Sequence, residues 1–123
     1  MIQTAATLYL VIIAGVIVFQ FCLVAGAPWG RLTQGGTNEG ALPVAGRVAA
    51  GVSVFLLIAM GAGIASEAGM IPALPNWLIY TVVSVQALSA FLNWITPSKA
   101  ERRLWAPITS VMLGLALYVV MAE

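Results

Sequence analysis

A chain of 123 residues is sequence for one domain, and 62% of this one is hydrophobic while 7% is charged. Soluble domains average roughly 45–50% apolar and about 25% charged, and a domain this small exposes too much of its surface to hide the excess from water. That excludes a soluble globule, and a formal net charge of +1 excludes a nucleic-acid binder, which needs a basic stripe to displace counterions.

The first uncharged apolar run is Thr4 to Ala25. No Lys or Arg precedes it, it is too long for the core of an export signal, and Pro28 follows the Ala25-Gly26-Ala27 triplet. It therefore reads as a retained membrane span. Cys22 lies inside this run as a small buried hydrophobe, and a lone thiol allows neither an internal disulfide nor a multi-thiolate metal site.

The connection that follows, Gly26 to Gly46, reads Gly26-Ala27-Pro28-Trp29-Gly30-Arg31-Leu32-Thr33-Gln34-Gly35-Gly36 in its first part. It lacks the spacing and lysine of a phosphate-binding loop. Its glycines permit tight backbone approach, so it is expected to fold back against the helix ends. The loop with Trp29 and Arg31 has two readings: a surface turn with an interfacial Trp anchor, or a ligand-gating or partner-binding element.

The second span is Val48 to Ala65, with Pro43 in its first turn and Gly69 as the residue that ends its helix. The third is Trp77 to Ile95, with Pro75 in its first turn. The fourth is Leu104 to Ala122, preceded by Ser98-Lys99-Ala100-Glu101, which has the spacing of a capping box. Pro107 must either kink this helix or divide a short surface helix from the span, and a kink is the favoured expectation.

Each run is about 20 residues, which at 1.5 Å per residue crosses a hydrocarbon layer of roughly 30 Å. All charges lie outside the runs, and none shows the alternation of a barrel strand. The fold class is all-α, a four-helix transmembrane bundle running up-down-up-down, with residues 1–123 as a single integral membrane domain. Arg31, Arg47, Lys99, Arg102 and Arg103 fall on one face of that topology. The positive-inside rule makes that face cytoplasmic. The expected location is the inner (plasma) membrane, multi-pass, with both termini non-cytoplasmic.

Small residues mark where membrane helices can approach. Ala106, Ser110 and Gly114 form one such stripe, with Ala49/Ser53 and Ala59/Gly63 as shorter pairs. If that stripe packs inside the bundle, Gly114→Leu should disturb it more than Leu115→Ala. Gln86, Ser89 and Asn93 share one face of the third helix, and Gln20 on the first reaches a depth near that of Asn93. They read either as interhelical hydrogen-bond glue or as a polar pocket beneath the glycine-rich loop. Thr81 and Ser84 are expected to bond back to their own helix. The candidate ligand-binding set is thus Gln20, Gln86, Ser89 and Asn93, joined by Trp29 and Arg31 from the loop.

Chemistry has few other carriers. The chain has no His and no Asp; Glu67 and Glu123 read as solvated boundary residues, and Glu101 as pairing with Arg102 and Arg103 or lying beside anionic lipid. No catalytic group, metal site or cofactor is expected, and the chain is not read as an enzyme.

The segments Gly26-Ala27-Pro28-Trp29-Gly30, Gly35-Gly36, Leu42-Pro43 with Arg47, and Asn93, Ser98, Glu101-Arg102 and Trp105 with Pro107 resemble a set of small bacterial four-helix membrane proteins that have no assigned activity. The resemblance implies the topology and no function. The leading reading is an accessory bundle that binds a partner or an apolar, lipid-like ligand. The alternative is a homo-oligomeric channel or facilitator for a small solute, and a lipid-modifying enzyme ranks last. Expected partners are membrane lipids, with a homo-oligomer or a larger membrane complex, and no nucleic acid.

Overall fold

Inside hydrocarbon a backbone amide finds no water, so an apolar run must close its own hydrogen bonds as helix. The computed structural model describes residues 1–122, and Glu123, read above as a boundary residue, lies outside them. Four α-helices account for most of the described chain: α1 (Ile2–Val24), α2 (Val44–Glu67), α3 (Asn76–Ile95) and α4 (Lys99–Met121). All four are long and apolar enough to cross a membrane. Two short 3-10 turns, Gly30–Leu32 and Gln34–Gly36, interrupt the connection between α1 and α2.

The helix ends follow local chemistry more closely than hydropathy. Gly26 and Gly69 adopt φ of 100° and 75° and close α1 and α2 in the same way. In each case the glycine N–H and the next N–H return to carbonyls of the last turn: Gly26 to Leu23 and Ala27 to Cys22, Gly69 to Ser66 and Met70 to Ala65. This paired closure needs a left-handed residue, which glycine supplies without steric cost. Pro43 and Pro75 sit one residue earlier than expected, at the N-cap positions of α2 and α3. Ser98 caps α4, its Oγ accepting from the Glu101 N–H at 3.1 Å. The cap starts α4 at Lys99, before the apolar run begins, and the helix continues through Pro107. No separate surface helix forms there.

Neighbouring helices run antiparallel. Gly61 faces Leu10 and Ile13 of α1, while Gly51 approaches Val24 at the other end. Trp94 of α3 donates its indole N–H to Ser110 Oγ of α4 at 2.8 Å. α1 also packs against α4, so the ring closes on the seam between α2 and α3. We call the end bearing the α1–α2 and α3–α4 connections the loop end, and the opposite one the terminus end.

The main core lies toward the terminus end. It joins Ala5, Ala6, Tyr9 and Ile13 of α1 to Met60 and Ile64 of α2, Ile79 and Val82 of α3, and Met112, Ala116 and Val119 of α4. At that end Gly63 lets α2 meet α3 closely: a Cβ there would lie 2.7 Å from Val82 Cγ2. A smaller cluster of Leu23, Leu42 and Ala50 fastens the end of the first connection between α1 and α2. The outer surface is apolar, with Phe55 76% exposed and Phe91, Val52 and Val111 likewise outward. Such a belt suits lipid, since soluble monomers rarely expose contiguous apolar area on that scale.

The small-residue stripe on α4 packs within one chain only in part. Ala106 is buried and Ser110 lies under Trp94, but Gly114 is exposed and a Cβ on it would meet nothing within 4 Å. The helix instead buries Ala106, Thr109, Met112, Ala116 and Val119. The expected order of effects therefore reverses. Gly114→Leu should leave thermal stability in detergent nearly unchanged, whereas Leu115→Ala, which trims a side chain packed on the main core, should cost about 1–2 kcal/mol. Equal losses would put Gly114 in an interface.

Candidate functional site

The loop end is tied together by side chains reaching backbone carbonyls. Arg47 Nε donates to the Val24 carbonyl at 2.8 Å, and Arg102 Nη1 donates to the Thr96 carbonyl at 3.2 Å. Each places a cation at the C-terminal end of a neighbouring helix, where the backbone dipole favours it. The first connection folds back as its glycines suggested. Trp105 Nε1 donates to the Leu32 carbonyl at 2.7 Å, Ser98 Oγ to the Arg31 carbonyl at 2.8 Å, and Gln34 Nε2 to the Gly46 carbonyl at 2.8 Å. Gly36, at φ 69°, lies so close to Ser98 that an added Cβ would fall 2.4 Å from the serine Cβ.

Glu101 is the centre of this roof. Its side chain does not pair with Arg102 or Arg103 and is 7% exposed. One carboxylate oxygen accepts from the Thr96 hydroxyl, and the other from the Gly35 N–H at 3.3 Å. The capping box is therefore half made: Ser98 caps Glu101, while the glutamate reaches across to the glycine loop.

Beneath the roof lies a cavity of about 690 Å³. Thr33, Gln34, Gly35, Thr96 and Glu101 line its upper end, and Gln86, Met60 and Met112 its floor. Its walls include Ser53, Leu56 and Leu57 of α2 and Leu88, Leu92 and Ile95 of α3. Leu56, Leu88, Leu92 and Ile95 are also surface-exposed, so the mouth opens sideways between α2 and α3. The two helices meet closely at Gly63, and nearer the loop end Ser53 and Ser89 line the space between them alongside the leucines.

Four of the six candidate residues, Gln20, Gln86, Ser89 and Asn93, line this one cavity. Their roles differ. Gln86, 1% exposed, accepts from Tyr9 Oη at 2.8 Å and donates to the Thr109 carbonyl at 3.1 Å, bonding three helices. Asn93 Nδ2 bonds back to the Ser89 carbonyl at 2.8 Å. Gln20 shares the cavity without bonding to Gln86 or Asn93, so the partner of Gln86 from α1 is Tyr9. Trp29 and Arg31 are not among the lining residues. The Trp29 ring stacks on Phe19 at 5.5 Å, which in turn meets Trp105 edge-on at 4.8 Å, and the Arg31 side chain is exposed. Thr81 and Ser84 bond back to Trp77 and Tyr80 as expected.

Among the described residues, every buried side-chain nitrogen and oxygen has a hydrogen-bond partner. Sequence reading missed Tyr9, Thr96, Thr109 and the burial of Glu101. Only Glu101 had a visible signal, the capping-box spacing, and that pointed to its backbone.

The chain is a small multi-pass membrane protein, an all-α bundle with a side-opening cavity under a tethered loop. Known protein families, curated proteins and solved structures contain no match to it.

Proposed function

We propose that this protein binds one amphiphilic, lipid-like molecule in the cavity between α2 and α3. The chain of the ligand lies along the leucine-lined walls and its head sits beneath the glycine loop. The observation that carries this reading is the shape and polarity of the cavity: leucine-rich walls, a mouth between two helices long and apolar enough to span a membrane, and more polar groups toward the loop end. Its size falls within the roughly 300–1,000 Å³ of small-molecule sites. The packed core below it favours a binding pocket over a solute path through one copy.

The test is lipid analysis of the protein purified in mild detergent. Wild type should retain close to one amphiphile per chain through gel filtration. Ser53→Phe, which places a ring on the cavity wall, should lose it while melting at a similar temperature. A partner polypeptide in the same preparation, with no retained lipid, would favour the accessory-protein reading instead.

This reading puts the loop end in the cytoplasm, supported by five basic residues at that end. In a Cys22→Ala background, Thr37→Cys should resist a membrane-impermeant thiol reagent until cells are permeabilised. A cysteine replacing Ala122 should react in intact cells. The opposite pattern would invert the orientation.

A further inference from the structure

We infer that the cavity selects a head group rich in hydrogen-bond donors and free of negative charge, such as a polyol or an ammonium. This inference rests on the lipid-binding reading and adds the chemistry of the ligand's polar end.

Several donors around the roof are already engaged. Thr96 Oγ1 and the Gly35 N–H both point to Glu101, and Trp105 Nε1 is held by the Leu32 carbonyl. One N–H of the Gln34 amide is held by the Gly46 carbonyl, and Asn93 Nδ2 is turned onto Ser89. What remains toward the cavity is chiefly acceptor oxygen: the amide oxygens of Gln34 and Asn93, and the second lone pairs of the Glu101 carboxylate. The donors left are the Gln20 amide, the second N–H of Gln34 and the Thr33 hydroxyl, none of them charged.

Charge points the same way. Glu101 is the one ionisable carboxylate or amine among the lining residues. The five basic side chains lie at the same end of the bundle but line no part of the cavity, and Arg47 and Arg102 are turned onto helix-end carbonyls. A phosphate drawn into this roof would meet a carboxylate and no cationic side chain. A hydroxyl or ammonium would meet acceptors beside a buried carboxylate, where the interaction is screened less than in bulk water.

The experiment uses the full chain in phosphatidylcholine nanodiscs, titrated with three radiolabelled probes of one chain length: 1-O-hexadecylglycerol, hexadecylamine and hexadecyl phosphate. The glycerol ether and the amine should bind wild type saturably, each about ten-fold or more tighter than the phosphate. In Glu101→Gln, which keeps an acceptor for Thr96 or Gly35, discrimination against the phosphate should shrink to about two-fold. Equal or tighter binding of the phosphate to wild type would overturn the head-group inference and leave the lipid-binding reading standing. Undiminished discrimination in Glu101→Gln would remove Glu101 from it. If that variant does not fold, the wild-type comparison alone decides. Saturable binding of none of the probes, or binding that Ser53→Phe does not weaken, would overturn the lipid-binding reading itself.

Discussion

Gln86→Leu is expected to destabilise the bundle by about 1–3 kcal/mol, because it strands the Tyr9 hydroxyl in a buried apolar setting with no acceptor. Tyr9 is fully buried, and its bond to Gln86 Oε1 joins α1 to α3 across 77 positions of sequence. The same amide donates to the Thr109 carbonyl, so the substitution also detaches α3 from α4 at that level. Hydrogen bonds between membrane helices average about 0.6 kcal/mol and reach about 1.7, so most of the loss comes from the unpaired hydroxyl. Removing both partners should therefore restore stability. Tyr9→Phe/Gln86→Leu is expected to unfold within about 1 kcal/mol of wild type, measured by denaturation in mixed micelles. A double variant as unstable as the single one would mean that Gln86 acts mainly through Thr109.

The second large effect is expected at Gly63. A Cβ there would lie 2.7 Å from Val82 Cγ2 and 3.3 Å from Leu78 Cγ, and a β-branched valine has little freedom to yield. Gly63→Leu should cost about 2–3 kcal/mol through overpacking. It should also loosen the cavity, since this contact sets how closely α2 and α3 approach. Gly63→Ala combined with Val82→Ala should recover most of the stability that Gly63→Ala loses, because the second change removes the obstructing methyl. Failure of that rescue would place the strain in the backbone and not at Val82.

Much of this architecture was legible because the bilayer imposes it. Apolar runs with all charges outside them dictate four spans, and Gly69 and Ser98 mark helix ends by chemistry that depends on a few adjacent residues. The inward face of α3 could be read too, since Gln86, Ser89 and Asn93 recur at helical spacing. What could not be read was which small residues meet a neighbour. Gly63 and Gly114 look alike in sequence, yet one is pressed against Val82 and the other faces outward, a difference set by how the helices rotate about their axes. The partners of Gln86 were hidden for a related reason: Tyr9 has an apolar ring and gives no polar signal until its hydroxyl is placed. Glu101 lay beside two arginines, the obvious local partners. Its burial depends on the glycine loop arriving from 66 residues away.

The claim that an amphiphile's chain occupies the α2–α3 cavity can be tested most directly by fluorescence of Trp105, which lines that cavity. In a Trp29→Phe/Trp77→Phe/Trp94→Phe background it is the sole indole. Hexadecylglycerol brominated along its chain should quench its emission saturably at low mole fraction in a phosphatidylcholine bilayer, and Ser53→Phe should abolish the saturable component. Quenching that rises only in proportion to bulk probe, and is the same with and without Ser53→Phe, would contradict the proposal and assign the cavity to another occupant.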